Sequence, residues 1–301
     1  MSMNIIDIAS HQAGMNLATL FSKNKDLDGV IVKTSGGNWY TNPYADAWLK
    51  WLDENEKPFG VYHYLDEDGC NATPQQEAAH FVDKAKKWIG KATLWLDYEA
   101  QAVGKGTKYL KQVLDAVYEA TGVKPGVYCS QSIIRAQDFS AIAAAGYPLW
   151  MAQYADDVTI YRDFLEHPWQ SGSYAPFKTL TIHQYTSLGR LRGWHEYTSS
   201  GNLDFNIFYG NKNTWDALAG KETPTPVLKP ADPTVVNAVV RGEYGNGTER
   251  VKKLEEAGYD PESVQDMVNE CYAVAMSCAK YIRGNEDYIN SIIYIVRNIN
   301  M

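Results

Sequence analysis

Cysteine is scarce in this chain. Its 301 residues hold four, Cys70, Cys129, Cys271 and Cys278, and no two form a C-x-x-C pair. No histidine cluster accompanies them, so no zinc site is expected. Cys129 lies in an apolar run and is expected as a small core residue. Cys271 and Cys278 fall seven apart in a helical pattern and are expected as two packed thiols rather than a bridge. A basic stripe is missing too. Lys and Arg number 28 against 36 Asp and Glu, a net charge of -8, which argues against a nucleic-acid partner. The densest basic cluster, Lys84, Lys86 and Lys87 beside Asp83, reads as a solvated helix face. No apolar run is long enough to span a membrane. The opening residues MSMNIIDIAS carry no leader pattern. The expectation is a chain made soluble in a cytoplasm, which reaches an extracellular target only after release by another agent.

Aromatic residues, by contrast, are plentiful: 9 Trp and 21 Tyr stand among 45% hydrophobic residues. Much of that belongs in a core. The excess also suits a carbohydrate groove, because sugar C–H faces stack on rings that carry a polar handle. Short β-rich runs recur at 5–8, 29–34, 59–64, 93–98, 126–129, 148–152, 179–185 and 203–208. Helical patterns fall between the early ones, at 44–54, from the cap-like Thr73-Pro74 onward, and at 109–120 up to Gly122. The later connections, notably 156–177, look less helical. The spacing predicts an α/β fold: an irregular TIM-like (β/α) barrel over 1–215 whose second half is the less regular. A Pro/Thr-rich linker follows over 216–233, with four prolines between Lys221 and Pro233. Beyond it, helical patterns at 235–241, 249–257 and from Pro261, parted by Gly245-Asn-Gly247 and Gly258, predict a small all-α module over 234–301. That module carries 7 basic and 11 acidic residues over 232–301, so attraction to an anionic polymer is not its main grip.

Leu94-Trp-Leu-Asp-Tyr-Glu-Ala100 is the most informative segment. In a strand, residues i and i+2 point the same way, so Asp97 and Glu99 share a face. Two carboxylates at one barrel mouth raise each other's pKa, and one of them keeps a proton near neutral pH. Glycosidic cleavage needs that proton donor and a second carboxylate for the developing positive charge, and since carboxyls suffice no metal or organic cofactor is expected. A solvated strand end explains D-x-E alone equally well. Asp7, ending the first run, and Asp204, inside the last, tilt the reading toward chemistry, because acids on several strands of a closed barrel converge on one mouth. Flanking residues at successive strand ends complete a candidate substrate-binding set: Lys33, Tyr62, His63, Tyr64, Tyr128, Trp150, Gln153 and Gln184, with Tyr154 beside them. His63 is given no proton-transfer role.

Asp7-Ile-Ala-Ser-His11, Val61-Tyr-His-Tyr64, Leu96-Asp-Tyr-Glu99, Leu149-Trp-Met-Ala-Gln-Tyr154, His183-Gln-Tyr185 and Leu203-Asp-Phe-Asn206 occur in an order that resembles glycoside hydrolase family 25, the Chalaropsis-type and phage lysozymes, over roughly 4–210. The resemblance implies an irregular α/β barrel that cleaves the β-1,4 bond between N-acetylmuramic acid and N-acetylglucosamine. It implies Glu99 as general acid, Asp97 as the group that orients or stabilises the substrate's 2-acetamido group, and Asp7 and Asp204 as further site acids that bind and tune. Such substrate assistance requires no enzyme nucleophile. His183 stands where the family often has Trp. Val236 to Arg250, with Leu254, Ala257-Gly-Tyr259, Val264-Gln265 and Val268-Asn269, is similar to one peptidoglycan-binding repeat of the choline-independent kind in pneumococcal-phage lysozymes, a three-helix bundle. The resemblance implies Arg241, Tyr244, Asn246, Arg250 and Tyr259 as wall-binding candidates. It leaves 273–301 unexplained, and an apolar face there offers either packing or self-association. The expected partners are peptidoglycan glycan strands and muropeptides, with no nucleic acid and no membrane. The expected role is a phage endolysin acting on a Gram-positive wall. Another retaining hexosaminidase of chitinase-like type, or a wall-binding protein without activity, remain the alternatives.

Overall fold

A computed structural model describes residues 2–221 and 228–281. The chain divides near residue 223 into two compact units. In the first, eight strands close on themselves: β1 (Met3–Ile8), β2 (Gly29–Gly36), β4 (Phe59–Tyr64), β5 (Thr93–Asp97), β6 (Gly126–Ser130), β7 (Leu149–Ala152), β8 (Ile182–Gly189) and β9 (Leu203–Phe208), with β1 pairing β2 to seal the ring. A two-residue strand β3 (Tyr40–Thr41) folds back as a hairpin on β2. The expected barrel is therefore present, with all eight anticipated runs used as strands.

The helices follow the anticipated asymmetry. Around the first half lie α1 (Leu17–Lys23), α2 (Ala45–Glu54), α3 (Pro74–Ala85) and α4 (Gly106–Thr121). The second half has only the short α5 (Gln131–Ala136) and α6 (Ser140–Ala144), before α7 (Lys212–Leu218). Thr73 caps α3, its hydroxyl accepting from Gln76 N while the Gln76 side chain accepts from Thr73 N. Gly122 ends α4 in the left-handed conformation, φ 71°.

One feature departs from an all-parallel barrel. β9 runs antiparallel to both of its neighbours, β8 and β1. The β8–β9 connection holds no full helix, and the two strands pair directly as neighbours in an antiparallel ladder. Strand polarity decides where Asp204 lies. As the second residue of β9 it would sit at the base of a parallel strand, but in the reversed strand it faces Asp7 across the ladder.

Strand alternation sorts the barrel into two cores. One layer of residues points out against the helices, including Ile6, Ile8, Val30, Val32, Val61, Leu94, Leu96, Val127 and Cys129. The other points inward: Ile5, Ile31, Tyr62, Trp95, Trp150, Ile182 and Phe208. Gly126 admits the large Trp95 ring, since a Cβ there would lie 2.1 Å from it. Trp215 of α7 is fully buried against the same inner cluster and donates from Nε1 to the Phe59 carbonyl at the start of β4, at 3.1 Å. The anticipated linker start at 216 is thereby corrected. It cuts α7 in the middle, because Trp215 needs its helix to plug the barrel floor.

The second unit holds α8 (Pro233–Val240), α9 (Gly247–Glu256) and α10 (Pro261–Tyr281). Its small core is Val235, Val236, Val239, Leu254, Val264 and Val268. Cys271 was expected to be packed and is exposed, as the core contacts on α10 end at Val268. Helix α10 continues past the repeat to Tyr281, with Tyr272 and Val274 exposed, and the expectation of self-association falls largely on 282–301, outside the described residues. Among the described residues no helix is long and apolar enough to cross a membrane.

Trp215→Ala should destabilise the first unit by about 3–5 kcal/mol, through lost burial and an open floor. Equilibrium urea unfolding checks this, and a loss under about 1 kcal/mol would mean that α7 is peripheral.

Candidate active site

The inward residues change character along the barrel. Near the floor they are apolar, and toward the C-terminal ends of the parallel strands they become Lys33, Tyr64, Asp97, Tyr128 and Gln184, joined by Asp7 from β1, Asp204 from β9 and Glu99 just beyond β5. With Ala9, His11, Tyr62, Trp150 and Tyr154 they line a cleft of about 330 Å³. Other hollows on the first unit lie away from these acids.

Four carboxylates thus share one mouth, and each is held differently. Asp7 accepts from Asn206 Nδ2 at 2.8 Å and from Gln184 Nε2 at 3.0 Å through the same oxygen, Oδ2. Burial outweighs these bonds and pushes its pKa up to about 6. Burial also raises Asp97 well above the usual range, with the nearby Glu99 charge adding and Lys33 opposing. Asp97 Oδ1 is buried and accepts no hydrogen bond among the described residues. Asp204 is raised well above its ordinary value by burial, then by Asp7 and Glu99. Glu99 is raised chiefly by burial, against a hydrogen bond from Tyr64 and the Lys33 charge. Because these groups interact strongly, the protons belong to the set rather than to single residues.

An amide and aromatic scaffold fixes the acids. Gln184 Oε1 accepts from Tyr128 at 2.8 Å and from Tyr154 at 2.6 Å, which turns its NH2 group toward Asp7. Asn206 is oriented likewise: its Oδ1 accepts from Trp150 Nε1 at 2.7 Å, leaving Nδ2 for Asp7. Trp150 therefore acts from beneath the cleft rather than as an open stacking platform, being 2% exposed.

Two of the anticipated substrate contacts are corrected. His63 has no exposed surface and points out of the barrel, with Nδ1 2.8 Å from Ser35 Oγ and Nε2 2.7 Å from Glu77 Oε2. Burial lowers its pKa, so the ring is neutral. Strand alternation carried that signal, since Tyr62 and Tyr64 face in and the residue between them must face out. Gln153 binds Gln131 Oε1 at 2.8 Å and Ser171, securing the β7–β8 connection instead of lining the cleft. Tyr154 takes the place in the wall. His183 is buried too, with Nε2 2.8 Å from the Gln153 carbonyl. Asn206 as orienter and Glu67, which pairs with Lys33, were not anticipated as site residues.

Residues 6–194 match the family profile of Glycosyl hydrolases family 25. The chain belongs to that family. It is a glycoside hydrolase with the family's barrel. Residues 233–271 match the CW_7 repeat. Among curated proteins, the chain is 29% identical over 268 residues to the lysozyme of Streptococcus phage Cp-7, covering 88% of this chain and 69% of that one. Among solved structures, the catalytic domain of endolysin ply40 from bacteriophage P40 of Listeria monocytogenes is 25% identical, covers 73% of this chain and 98% of its own, and superposes with a TM-score of 0.53. The lysozyme from Streptomyces coelicolor, 18% identical over 72% of this chain and 97% of its own, shares the fold with a TM-score of 0.57.

In the second unit the wall-binding candidates separate. Arg250 bridges Gly245 O, Asn246 Oδ1 and Gln265 Oε1, and lines a hollow of about 640 Å³ between α9 and α10 with Val251, Leu254 and Gln265. Tyr244 and Tyr259 pack on the small core instead. The Tyr259 hydroxyl donates to Asp232, the residue that caps α8. Arg241 pairs with Glu243 at 2.6 Å.

Asp204→Asn should make the protein more stable at pH 7. With its folded pKa raised above the ordinary carboxyl value of 3.8, Asp204 costs stability at every pH above about 3.8, where the unfolded chain ionises freely. The gain should therefore vanish as the pH falls toward 4 and grow as the pH rises from there. Thermal melts across that range check the sign, and destabilisation at pH 7 would refute it.

Proposed function

We propose that this glycoside hydrolase is an endolysin of the muramidase type. It hydrolyses the β-1,4 bond from N-acetylmuramic acid to N-acetylglucosamine in the peptidoglycan of a Gram-positive host. The observation that carries the reading is the Asp97–Glu99 pair at the barrel mouth, proton-retaining as a unit and with one Asp97 oxygen left without a partner. The likeness to a phage lysozyme over most of the chain supports it.

Glu99 is the outer member of the pair and the more accessible, so it is the proton donor. Asp97, which lines the cleft beside it, suits the N–H of a 2-acetamido group. Accepting that hydrogen bond stabilises ionised Asp97 and moves the shared proton onto Glu99. Glu99 then protonates the leaving glycosidic oxygen as the C1–O bond breaks. The acetamido carbonyl oxygen bonds to C1 from the opposite face, and Asp97 balances the charge on the resulting ring. Water, deprotonated by Glu99, opens that ring and restores both groups. Asp7, held by Asn206 and Gln184, adds negative potential toward the cationic transition state, and Asp204, facing it across the ladder, tunes that potential. Tyr62, Tyr64, Tyr128 and Tyr154 offer rings and hydroxyls to the sugars, with Lys33 beside them. The helical repeat holds the enzyme on insoluble wall through the α9–α10 hollow, with Arg250 and Gln265 as its polar contacts. Arg241, Tyr244, Asn246 and Tyr259 shape that module. Tethering the two units raises the local substrate concentration for the barrel. A chain of this kind is made in the host cytoplasm and acts at the wall after release.

Purified Gram-positive peptidoglycan digested by the wild type, reduced with borohydride and analysed by mass spectrometry should yield muramitol ends. Glu99→Gln should lower kcat roughly 100- to 10,000-fold. Glucosaminitol instead of muramitol would assign the other glycosidic bond, and the absence of new reducing ends would leave a wall-binding protein. In co-sedimentation of the full chain with purified wall, Arg250→Ala should weaken binding about tenfold. Unchanged sedimentation would place the grip elsewhere on the module.

A further inference from the structure

Lys33 is the sole lysine or arginine lining the cleft, yet it forms no ion pair with Asp97 or Glu99 among the described residues. Its ammonium instead meets Glu67 Oε2 at 2.5 Å, and it sits 4.4 Å from the Tyr64 ring centre and 4.9 Å from that of Tyr40. Glu67 comes from the turn that follows β4. The backbone there is built for this reach. Asp66, Asp68 and Asn71 all adopt positive φ of 53°, a conformation that costs a non-glycine residue energy and clusters at working sites. Gly36 of β2 leaves the space, since a Cβ there would lie 2.1 Å from Glu67 Oε2.

We propose that Glu67 is a positioning residue for the reaction: it anchors the Lys33 ammonium on the cleft wall and keeps it off the Asp97–Glu99 pair. Released from Glu67, Lys33 would pair with the nearest cleft carboxylate, hold it ionised and strip the proton that Glu99 delivers. The ionisable groups around this pair are Asp97 and Glu99 at the end of β5, Asp7 and His11 from β1 and the segment after it, Asp204 from β9, Tyr62, Tyr64 and buried His63 from β4, Tyr40 from β3, Glu77 and His80 from α3, and on the turn itself Asp66 with its partner Lys105, Asp68 and Cys70. The Glu67 charge also adds to the forces that keep a proton on Asp97, so both effects of its loss have one sign. The inference rests on Glu99 being the proton donor.

The test is the pH profile of kcat for wild type, Glu67→Gln, Glu67→Asp, Lys33→Met and the Lys33→Met/Glu67→Gln double variant, with Glu99→Gln alongside. Glu67→Gln should move the alkaline limb to lower pH by on the order of half a unit or more. Glu67→Asp, one methylene shorter, should move it the same way by less, and it serves where Glu67→Gln does not fold. In the Lys33→Met background the shift should largely disappear, because Glu67 acts through Lys33. An alkaline limb that stays in place or moves to higher pH overturns the proposal, as does a full shift that persists without Lys33. Those outcomes with an inactive Glu99→Gln condemn the role of Glu67 alone. An active Glu99→Gln condemns the proton-donor reading and this inference with it.

Discussion

Like-charge repulsion at the barrel mouth is the constraint around which the first unit is arranged. Asp7, Asp97, Glu99 and Asp204 cannot all ionise cheaply so close together at a mouth where burial raises each of them. Each is made tolerable by different neighbours. Asp7 has two amides, Glu99 has a phenol and a nearby ammonium, and burial shifts Asp97 and Asp204 toward their protonated forms. The electrostatic cost is the chemical resource, since a carboxyl that keeps its proton near neutrality can give it to a leaving oxygen.

The supports extend below the cleft. Trp150 orients Asn206, and Asn206 orients toward Asp7. Trp150 rests on Trp95 at 5.7 Å between ring centres, in the space that Gly126 leaves open. Trp215 shuts the floor beneath. Acid placement and core packing are therefore one problem, because a slack floor would free the amide that aims at Asp7. The second unit works on a different principle. Its core is a handful of valines and one leucine, and a hollow opens between two of its helices.

The sequence by itself determined the strand count, the acid set and the two-unit order. Period-two apolar runs and capped helices are local properties, so they could be read from Thr73-Pro74, Gly122 or Leu94–Ala100 without knowing any contact. Its local signals even carried the correction to His63, because alternation forces it outward when Tyr62 and Tyr64 face in. The boundary at 216 was misplaced because the cue for a linker is composition, whereas Trp215 is fixed by what it plugs. Only tertiary structure decided the rest. The reversal of β9, which carries Asp204 to the working mouth, depends on pairing with β1 and β8 at once. The duty of Asn206, the loss of Gln153 to a loop and the bond from Glu67 to Lys33 join residues distant in sequence, and no local pattern encodes which amide faces which acid. Carboxylate identity is written in the chain, but the protonation that makes it useful comes from burial, and burial exists only once the barrel has closed.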